Sequence, residues 1–284
     1  MQILSFQSAV SFGHVGHSAA LLPLQRLGFE VWPIDTVQFS NHPGHGRCAG
    51  SVFPGARAAE LVEGLDAIGA LDGIDAVLSG YLGEAETGAA VLDAVTRIRR
   101  ARPGALYLCD PVMGDEGGGL YVRPGIPEVF GRSLVPAADI VTPNRFELGI
   151  LTGRSIFSPP DAVEASRQLL ALGPKAVVVT SLDPHPGTIA CLGVEAGGAW
   201  VVETPILDFA VAPNGAGDLL SALLLGRLLE GRPLPEALSL AVSSLFGVLS
   251  ATRSLGRREL ALVAAQEVFA RPPQVFPARP FRDT

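Results

Sequence analysis

Short, continuous runs of apolar residues recur along the chain and predict buried strands. In chain order these runs are Ile3–Gln7, Val31–Phe39, Ala76–Ser79, Leu106–Cys109, Ile140–Thr142 and Ala176–Thr180. Strands that are covered on both faces of a parallel sheet show such continuous runs, whereas half-exposed strands alternate apolar and polar residues. We therefore expect a mostly parallel central sheet.

Segments with the spacing of amphipathic helices lie between these runs, at Ser18–Leu27, Ala58–Ile68, Thr87–Arg100 and Ala162–Leu172. This alternation is typical of a doubly wound α/β fold with helices on both faces of the sheet. Two extended runs follow at Thr188–Gly193 and Ala199–Glu203, and three helical stretches then reach from Ala216 to about Ala270. We expect one domain over residues 1–271 and a proline-rich, irregular tail over residues 272–284.

The composition excludes several classes of partner. The 284 residues are 48% hydrophobic and 17% charged, which is typical of a folded protein with a large core. The net charge is −7 and the longest basic clusters are the pairs Arg99–Arg100 and Arg257–Arg258, so we expect no nucleic-acid partner. The apolar, uncharged stretch Ala237–Thr252 is shorter than a membrane span and contains four serines, so we expect a buried helix and no membrane.

The cysteines and the N-terminus favour a cytoplasmic protein. Cys48, Cys109 and Cys191 are odd in number and lack the Cys-x-x-Cys spacing of zinc sites, which argues against a disulfide framework or structural zinc. The first basic residue is Arg26, so the N-terminus lacks the charged start of a signal peptide. We interpret Cys109 as a buried strand residue rather than a nucleophile.

Polar residues and glycines follow most of the predicted strands. They are Ser8, Asn41–Gly46, Gly80–Gly83, Asp110–Gly114, Thr142–Asn144 with Glu147, and Thr180–Ser181. Ligands of open parallel sheets bind beyond the carboxyl ends of the strands. The sequence therefore predicts a binding site at this edge of the sheet.

The segment Asn214-Gly215-Ala216-Gly217-Asp218 directly precedes the apolar helix Leu219–Leu229. Glycines allow a tight turn that exposes successive N–H groups at a helix N-terminus, where they and the helix dipole bind anions. We interpret this segment as a candidate phosphate-binding loop, although its spacing is that of neither a P-loop nor a dinucleotide fingerprint. On local sequence alone, the simpler role of Asp218 is to stabilise the start of its helix.

Several of these motifs, in this order, resemble those of the ribokinase-like superfamily of small-molecule kinases. The motifs are Asp110-Pro111-Val112-Met113-Gly114, Thr142-Pro143-Asn144 with Glu147, and Gly215-Ala216-Gly217-Asp218. Further segments closely resemble the pyridoxal kinase family: Gln7-Ser8 with Gly13-His14-Val15-Gly16, Val37-Gln38-Phe39-Ser40-Asn41-His42, and Ser79-Gly80-Tyr81-Leu82-Gly83. The resemblance runs from about residue 3 to about residue 265 and implies a ribokinase-like fold.

The activity that this resemblance implies is ATP-dependent phosphorylation of the 5′-hydroxymethyl group of pyridoxal, with pyridoxine and pyridoxamine as further candidate substrates. Asp218 is then the general base, and Gly215, Ala216 and Gly217 supply amides to the transferring phosphoryl group. The position of Asp218 at a helix N-terminus is expected to favour its ionised form and so to lower its pKa.

The resemblance also implies which residues bind the substrates. The pyridoxal side comprises Ser8, Val15, Val37, Gly44, Tyr81 and Asp218. The ATP side comprises Asp110, Thr142, Asn144, Glu147, Thr180, Ser181, Gly215 and Gly217, with Mg²⁺ held by Asp110 and Glu147 directly or through water.

Two residues depart from the family pattern. Thr180 stands where one branch of the family has a lysine, so Mg²⁺, a monovalent cation or backbone amides must supply the positive charge. Pro43 replaces a threonine in a loop that we expect to fold over the substrate ring, and a glycine-rich flap at residues 115–119 is expected over ATP. The resemblance further implies a homodimer.

Two alternative functions remain open at this stage. One is hydroxymethylpyrimidine kinase activity within the same superfamily. The other is a catalytically silent protein that binds pyridoxal phosphate or a nucleotide.

Overall fold

A large central sheet carries the fold of this protein, whose computed structural model describes residues 1–282. The strands are, in chain order, β1 (Gln2–Phe12), β2 (Glu30–Asn41), β3 (Gly50–Val52), β4 (Ala76–Ser79), β5 (Leu106–Cys109), β6 (Gly114–Asp115), β7 (Gly119–Leu120), β8 (Ile140–Val141), β9 (Ala176–Leu182), β10 (Thr188–Glu195), β11 (Gly198–Pro205) and β12 (Arg279–Pro280). The helices are α1 (His17–Arg26), α2 (Gly55–Ala67), α3 (Thr87–Ala101), α4 (Ile126–Val129), α5 (Val135–Ala137), α6 (Arg145–Thr152), α7 (Pro159–Leu170), α8 (Ala216–Leu229), α9 (Leu234–Ser254) and α10 (Gln266–Ala270).

Ten strands form the sheet in the order β12-β11-β10-β9-β8-β5-β4-β1-β2-β3. From β9 across to β2 every strand is parallel to its neighbours, and antiparallel pairs close both edges. The remaining strands, β6 and β7, form a separate antiparallel hairpin. The predicted doubly wound, mostly parallel sheet is confirmed.

Helices cover both faces of the sheet, which explains the continuous apolar runs. Ile3 and Leu4 point to opposite faces, and both are 0% exposed. Leu4 belongs to a core cluster that includes residues of α2, α3 and α7, whereas Ile3 packs in a second cluster with residues of α1, α8 and α9. Alternation of polar and apolar residues is therefore absent from the central strands.

Helix α9 has the length and composition of a membrane-spanning helix, and it is alone in this among residues 1–282. It is longer than the uncharged stretch Ala237–Thr252 because it also takes in Glu236 and Arg253. Half of its apolar window is buried inside the protein, where α9 packs against α8 and the sheet. Such burial is typical of the core helix of a folded domain.

The prediction of an irregular tail over residues 272–284 is wrong in part. Arg279 and Pro280 form β12, which pairs with Trp200 and Val201 of β11. Without this pairing β11 would expose an unpaired edge, which is costly and invites aggregation. The end of that prediction, residues 283–284, lies outside the described residues.

Candidate active site

A cavity of about 560 Å³ opens beyond the carboxyl ends of the parallel strands. Its wall is built from the C-terminal parts of β1, β2 and β9, from the segments that follow the other parallel strands, and from the start of α8. The residues predicted from sequence that line it are Ser8, Val15, Gly44, Tyr81, Asp110, Thr142, Asn144, Glu147, Thr180, Ser181, Gly215, Ala216, Gly217 and Asp218. The motifs scattered along the sequence therefore meet around one space.

Val37 is the exception, because its side chain does not line the cavity. It is 0% exposed and lies in β2 opposite Ser8, where a shift in strand register follows Gln7. A Cβ atom built on Gly83 would come within 2.9 Å of Val37 Cγ1, so the valine packs under the turn that carries Tyr81. The expectation that Val37 lines the ring pocket is corrected to a supporting position beneath it.

One side of the cavity is apolar and aromatic. Val10, Val15, Phe39 and Tyr81 face it, and burial raises the pKa of the Tyr81 phenol. The Thr36 hydroxyl donates a hydrogen bond of 2.6 Å to the backbone carbonyl of Tyr81 and fixes the turn. Apolar walls with a few directed polar groups suit a small aromatic ring.

The loop between β2 and β3 covers this side. Pro43–His45 form a single 3₁₀ turn, and the Gly44 N–H donates to Nδ1 of His42 at 3.1 Å. Burial lowers the pKa of His42, so the neutral imidazole is favoured. His42, Pro43 and Gly44 all line the cavity.

The start of α8 presents its first backbone amides to the cavity. Gly215 adopts a left-handed conformation with a φ of +85°, and a Cβ atom there would lie 1.9 Å from the His14 carbonyl oxygen. Only glycine fits this turn. No side chain in the described part of the chain caps the N-terminus of α8, which leaves its first-turn N–H groups to bind an anion.

Asp218 lies in the first turn of α8, on the cavity wall. Burial raises the pKa of its carboxyl group, while the facing Gly16 amide and the charge of His17 act in the opposite direction. The expectation of a lowered pKa at this helix N-terminus is therefore wrong, because desolvation outweighs the groups that stabilise the charged carboxylate. His17 is itself held by Asp35 at 2.7 Å.

Asp110 is a buried carboxylate that accepts two hydroxyl hydrogen bonds. Thr142 Oγ1 lies 3.0 Å from Oδ1, and Ser221 Oγ lies 2.9 Å from Oδ2. Burial raises the pKa of Asp110 to about 7, and the charge of Asp218 adds to the effect. Ser221 was not predicted from sequence, although its position one helical turn after Asp218 places the two on the same face of α8.

Glu147 combines a structural role with a position on the cavity wall. It forms a capping box with Asn144 at the start of α6, and its Oε1 accepts the Met113 N–H at 2.9 Å. Burial and the neighbouring Asp110 raise the pKa of Glu147 to about 8. Asn144 is fixed in turn by a 2.8 Å hydrogen bond from Nδ2 to the Gly114 carbonyl.

Thr180 and Ser181 follow the buried part of β9. Thr180 forms an isolated parallel β-bridge with Asn144. Ser181 has a φ of +61° and is the one non-glycine residue with a left-handed backbone among residues 1–282. Such a conformation costs free energy in a residue with a side chain, and strained backbone often occurs at functional sites. Behind these residues lies a second cavity of about 280 Å³, which also shares Pro213, Ala216 and Gly217 with the first. Its apolar walls include Ile189, Ile206, Phe209, Leu245, Phe246 and Leu249.

Sequence reasoning assigned no role to several further residues of the wall: Val10, Phe39, Tyr121, Pro213 and Ser221. Val112, Asp115 and Asn214 also line the wall and lie in segments that the sequence had singled out. Tyr121 follows the β6–β7 hairpin, which contains the segment expected to form a flap over ATP, and nothing in its own sequence context indicates a site. Burial and the four nearby carboxylates raise the pKa of its phenol. Cys109 is buried as predicted, and burial raises the pKa of its thiol to about 12.

The larger cavity is strongly acidic. Asp110, Asp115, Glu147 and Asp218 line it, whereas no lysine or arginine within residues 1–282 does so. A phosphate-bearing ligand can bind beside these carboxylates only if cations or backbone amides offset the negative charge.

Comparisons with known proteins identify the family of the chain. A family model for phosphomethylpyrimidine kinase matches residues 48–262. The chain is 50% identical over 283 residues to pyridoxal kinase PdxY of Rubrobacter xylanophilus, a match that covers 98% of this chain and 97% of the relative. It is 48% identical over 283 residues to pyridoxal kinase PdxY of Deinococcus radiodurans, covering 97% and 95%.

Among solved structures, the pyridoxal kinase from Leishmania donovani in complex with ADP and pyridoxamine matches with a TM-score of 0.92 at 30% sequence identity and covers 99% of both chains. The fold, the order of the motifs and the extent of these matches lead to one conclusion. This chain belongs to the pyridoxal kinase family, within the ribokinase-like superfamily.

Proposed function

We propose that this chain transfers the γ-phosphoryl group of ATP to the 5′-hydroxyl of pyridoxal, with Asp218 as the general base. The single observation that carries the proposal is the position of Asp218. It lies beside the free amides of the α8 N-terminus and between an aromatic side and an acidic side of one cavity. The solved Leishmania donovani enzyme, which holds ADP and pyridoxamine, supports the two-substrate arrangement.

Pyridoxal binds on the side lined by Val10, Val15 and Tyr81, where Tyr81 stacks on the ring. Ser8 hydrogen-bonds a polar edge of the ring, and Gly44 with its neighbours in the β2–β3 loop covers it. Pro43 offers neither a hydroxyl nor an N–H group, so backbone groups or water must make any hydrogen bond to the substrate at this position.

In the reaction the 5′-oxygen of pyridoxal attacks the γ-phosphorus as its proton passes to the Asp218 carboxylate. A new O–P bond forms, the bond to the bridging oxygen of the β-phosphate breaks, and ADP leaves. The raised pKa of Asp218 strengthens it as a base. The amides of Gly215, Ala216 and Gly217 stabilise charge on the transferring phosphoryl group.

ATP lies along the other side of the site. Thr142, Asn144, Thr180 and Ser181 contact its phosphates, and the flat, largely apolar base fits the second cavity between β10, β11 and α9. The two cavities share Thr180, Ser181, Ala216 and Gly217, so one nucleotide can occupy both.

The acidic residues at the phosphates fit a divalent cation. Asp110 and Glu147 are buried carboxylates with raised pKa values and no lysine or arginine beside them on the described cavity wall. Mg²⁺ typically takes only one or two carboxylates together with phosphate oxygens and water. Asp110 and Glu147 would hold Mg²⁺ there, where it would neutralise phosphate charge, and a monovalent cation would add to this beside Thr180, which carries no charge.

We extend the proposal to assembly and location. The family resemblance supports a homodimer, which sedimentation velocity tests directly. Three unpaired cysteines, two of them buried, support a reducing, cytoplasmic location.

A second candidate substrate is hydroxymethylpyrimidine, because the matching family model describes phosphomethylpyrimidine kinase. The test is phosphate transfer from ATP to pyridoxal, pyridoxine, pyridoxamine and hydroxymethylpyrimidine in parallel, with and without Mg²⁺. We expect Mg²⁺-dependent formation of pyridoxal 5′-phosphate and a higher kcat/KM for pyridoxal than for hydroxymethylpyrimidine. The reverse preference would replace the proposed substrate, and binding without turnover of any substrate would identify a silent binder.

A further inference from the structure

Glu259 lies outside the cavity wall, in the segment after α9, yet it joins two of the segments that form the wall. Its Oε1 is 2.9 Å from Nε2 of His45, in the loop between β2 and β3. Its Oε2 accepts the backbone N–H of His14, in the turn between β1 and α1, at 3.2 Å. The Glu259 and His45 side chains are 16% and 20% exposed, so water screens this contact less than a surface ion pair.

Both joined segments belong to the pyridoxal side of the site. The β2–β3 loop contributes His42, Pro43 and Gly44 to the wall, and the β1–α1 turn contributes Val15. Neither Glu259 nor His45 touches the cavity. Their contact therefore fixes the positions of the two segments that form the pyridoxal pocket without itself lining the pocket.

Other contacts near Glu259 hold the same two segments, the β2–β3 loop and the β1–α1 turn. Arg258 donates a hydrogen bond of 2.6 Å to the Gly44 carbonyl, and the rings of Phe12 and His45 meet edge to face at 5.9 Å. Gly13 leaves room for the carboxylate, because a Cβ atom there would lie 2.3 Å from Oε2 of Glu259. Substitution at Gly13 would thus displace the carboxylate that fastens the loop.

The β1–α1 turn also reaches the catalytic end of the site. The Gly16 amide faces Asp218, and the His14 carbonyl packs against Gly215. A carboxylate that fixes the His14 amide therefore helps to fix the backbone on which the α8 N-terminus rests.

We propose that Glu259 is a positioning residue that fastens the β2–β3 loop over bound pyridoxal and so sets the affinity for this substrate. This inference rests on the proposed function for the identity of the substrate, whereas the fastening itself rests on contacts alone. In this proposal pyridoxal binds only when the loop is closed. The apparent affinity for pyridoxal therefore falls in proportion to the fraction of molecules whose loop is open. ATP binds on the far side of the site, away from this loop. The side-chain oxygen retained in Glu259→Gln can still accept the His14 N–H, so we expect the backbone beneath α8 to keep its position.

The test compares Glu259→Gln with wild type and with the control Glu267→Gln, whose side chain is 77% exposed and pairs with Arg26 far from the cavity. Loop opening is followed by mild trypsin cleavage after Arg47, an exposed residue of the same loop, with mass spectrometry of the released peptide. We expect cleavage to accelerate and the KM for pyridoxal to rise by about tenfold in Glu259→Gln, the scale of one lost hydrogen bond to a charged group. The KM for ATP and the behaviour of Glu267→Gln should stay within about twofold of wild type.

A double-mutant cycle with His45→Gln separates positioning from general loss of stability. If the two side chains act as one contact, the double variant should be hardly worse than either single variant. Unchanged cleavage after Arg47, or equal increases in both KM values, would overturn the proposal. If wild type does not phosphorylate pyridoxal, the proposed function is wrong. The role of Glu259 is then decided by the rate of trypsin cleavage after Arg47 and by the directly measured affinity for pyridoxal.

Discussion

At the residue scale, burial decides how the carboxylates of this protein behave. Glu267 is exposed and paired with Arg26, which lowers its pKa as expected for an ion pair at the surface. Asp110, Glu147 and Asp218 lie at the cavity, where desolvation raises their pKa values. A buried carboxylate without a cation costs folding free energy, so the burial of Asp110 and Asp218 is consistent with the ligand-binding roles proposed for them.

Asp110→Asn tests this cost through the pH dependence of stability. The pKa of Asp110 is raised from 3.8 to about 7, so the folded protein binds the proton more tightly than the unfolded chain. The free energy of unfolding of wild type therefore falls as the pH rises towards 7 and stays low above it. The amide can keep the contacts with Thr142 and Ser221, whose hydroxyl groups can rotate to accept.

We expect Asp110→Asn to stabilise the ligand-free protein by about 1 kcal/mol more at pH 8.5 than at pH 6, and to impair ATP turnover. Urea unfolding of both proteins at the two pH values measures the difference. An equal effect at both pH values would show that Asp110 does not titrate in this range.

At the element scale, the long strands and helices could be predicted from the sequence, whereas the shortest strands could not. The central strands and α1, α2, α3 and α7 were predicted because each buries a continuous run or an amphipathic stripe. β3, β6 and β7 have only two or three residues each and contain glycine, so they are too short to show a strand pattern of their own. The candidate site was predicted from residues that follow buried strands, whereas Tyr121 enters it from a hairpin that no such pattern marks.

The start of α8 is the element whose shape matters most for the reaction. Gly215→Ala places a Cβ against the His14 carbonyl in a left-handed backbone, so we expect a loss of about 1–3 kcal/mol in stability and a clear fall in kcat. Gly217→Ala is the matched variant, because no heavy atom lies within 4 Å of its added Cβ. Thermal unfolding should show a lower Tm for Gly215→Ala alone, and equal Tm values would contradict the close contact with His14.

At the scale of the whole molecule, the C-terminal segment completes the sheet and covers α9. Phe276 meets Phe246 edge to face with ring centroids 4.8 Å apart, and its N–H donates to Ser243 Oγ at 2.8 Å. The proline content of this segment suggested irregular structure. Its pairing with β11 was not predictable, because a two-residue strand at a sheet edge depends on a partner about eighty residues away rather than on its own pattern.

Phe276→Ala tests whether this segment stabilises the fold. We expect a loss of about 2 kcal/mol in the free energy of unfolding, because an aromatic pair and partly buried area are removed. Val275→Ala, at a residue that is 55% exposed, serves as the control and should change stability by less than about 0.5 kcal/mol. Equal urea midpoints for the two variants would mean that the tail packs only loosely.

The central claim is that this fold brings pyridoxal and ATP together at Asp218, and Asp218→Asn tests it most directly. The measurement is the steady-state rate of pyridoxal 5′-phosphate formation by wild type, Asp218→Asn and the control Asp208→Asn, which alters an exposed carboxylate outside the cavity. We predict Mg²⁺-dependent turnover by wild type and the control, and a kcat lower by about 10²-fold or more in Asp218→Asn with ATP binding retained. Turnover by Asp218→Asn within a few-fold of wild type would contradict the role of Asp218 as the base.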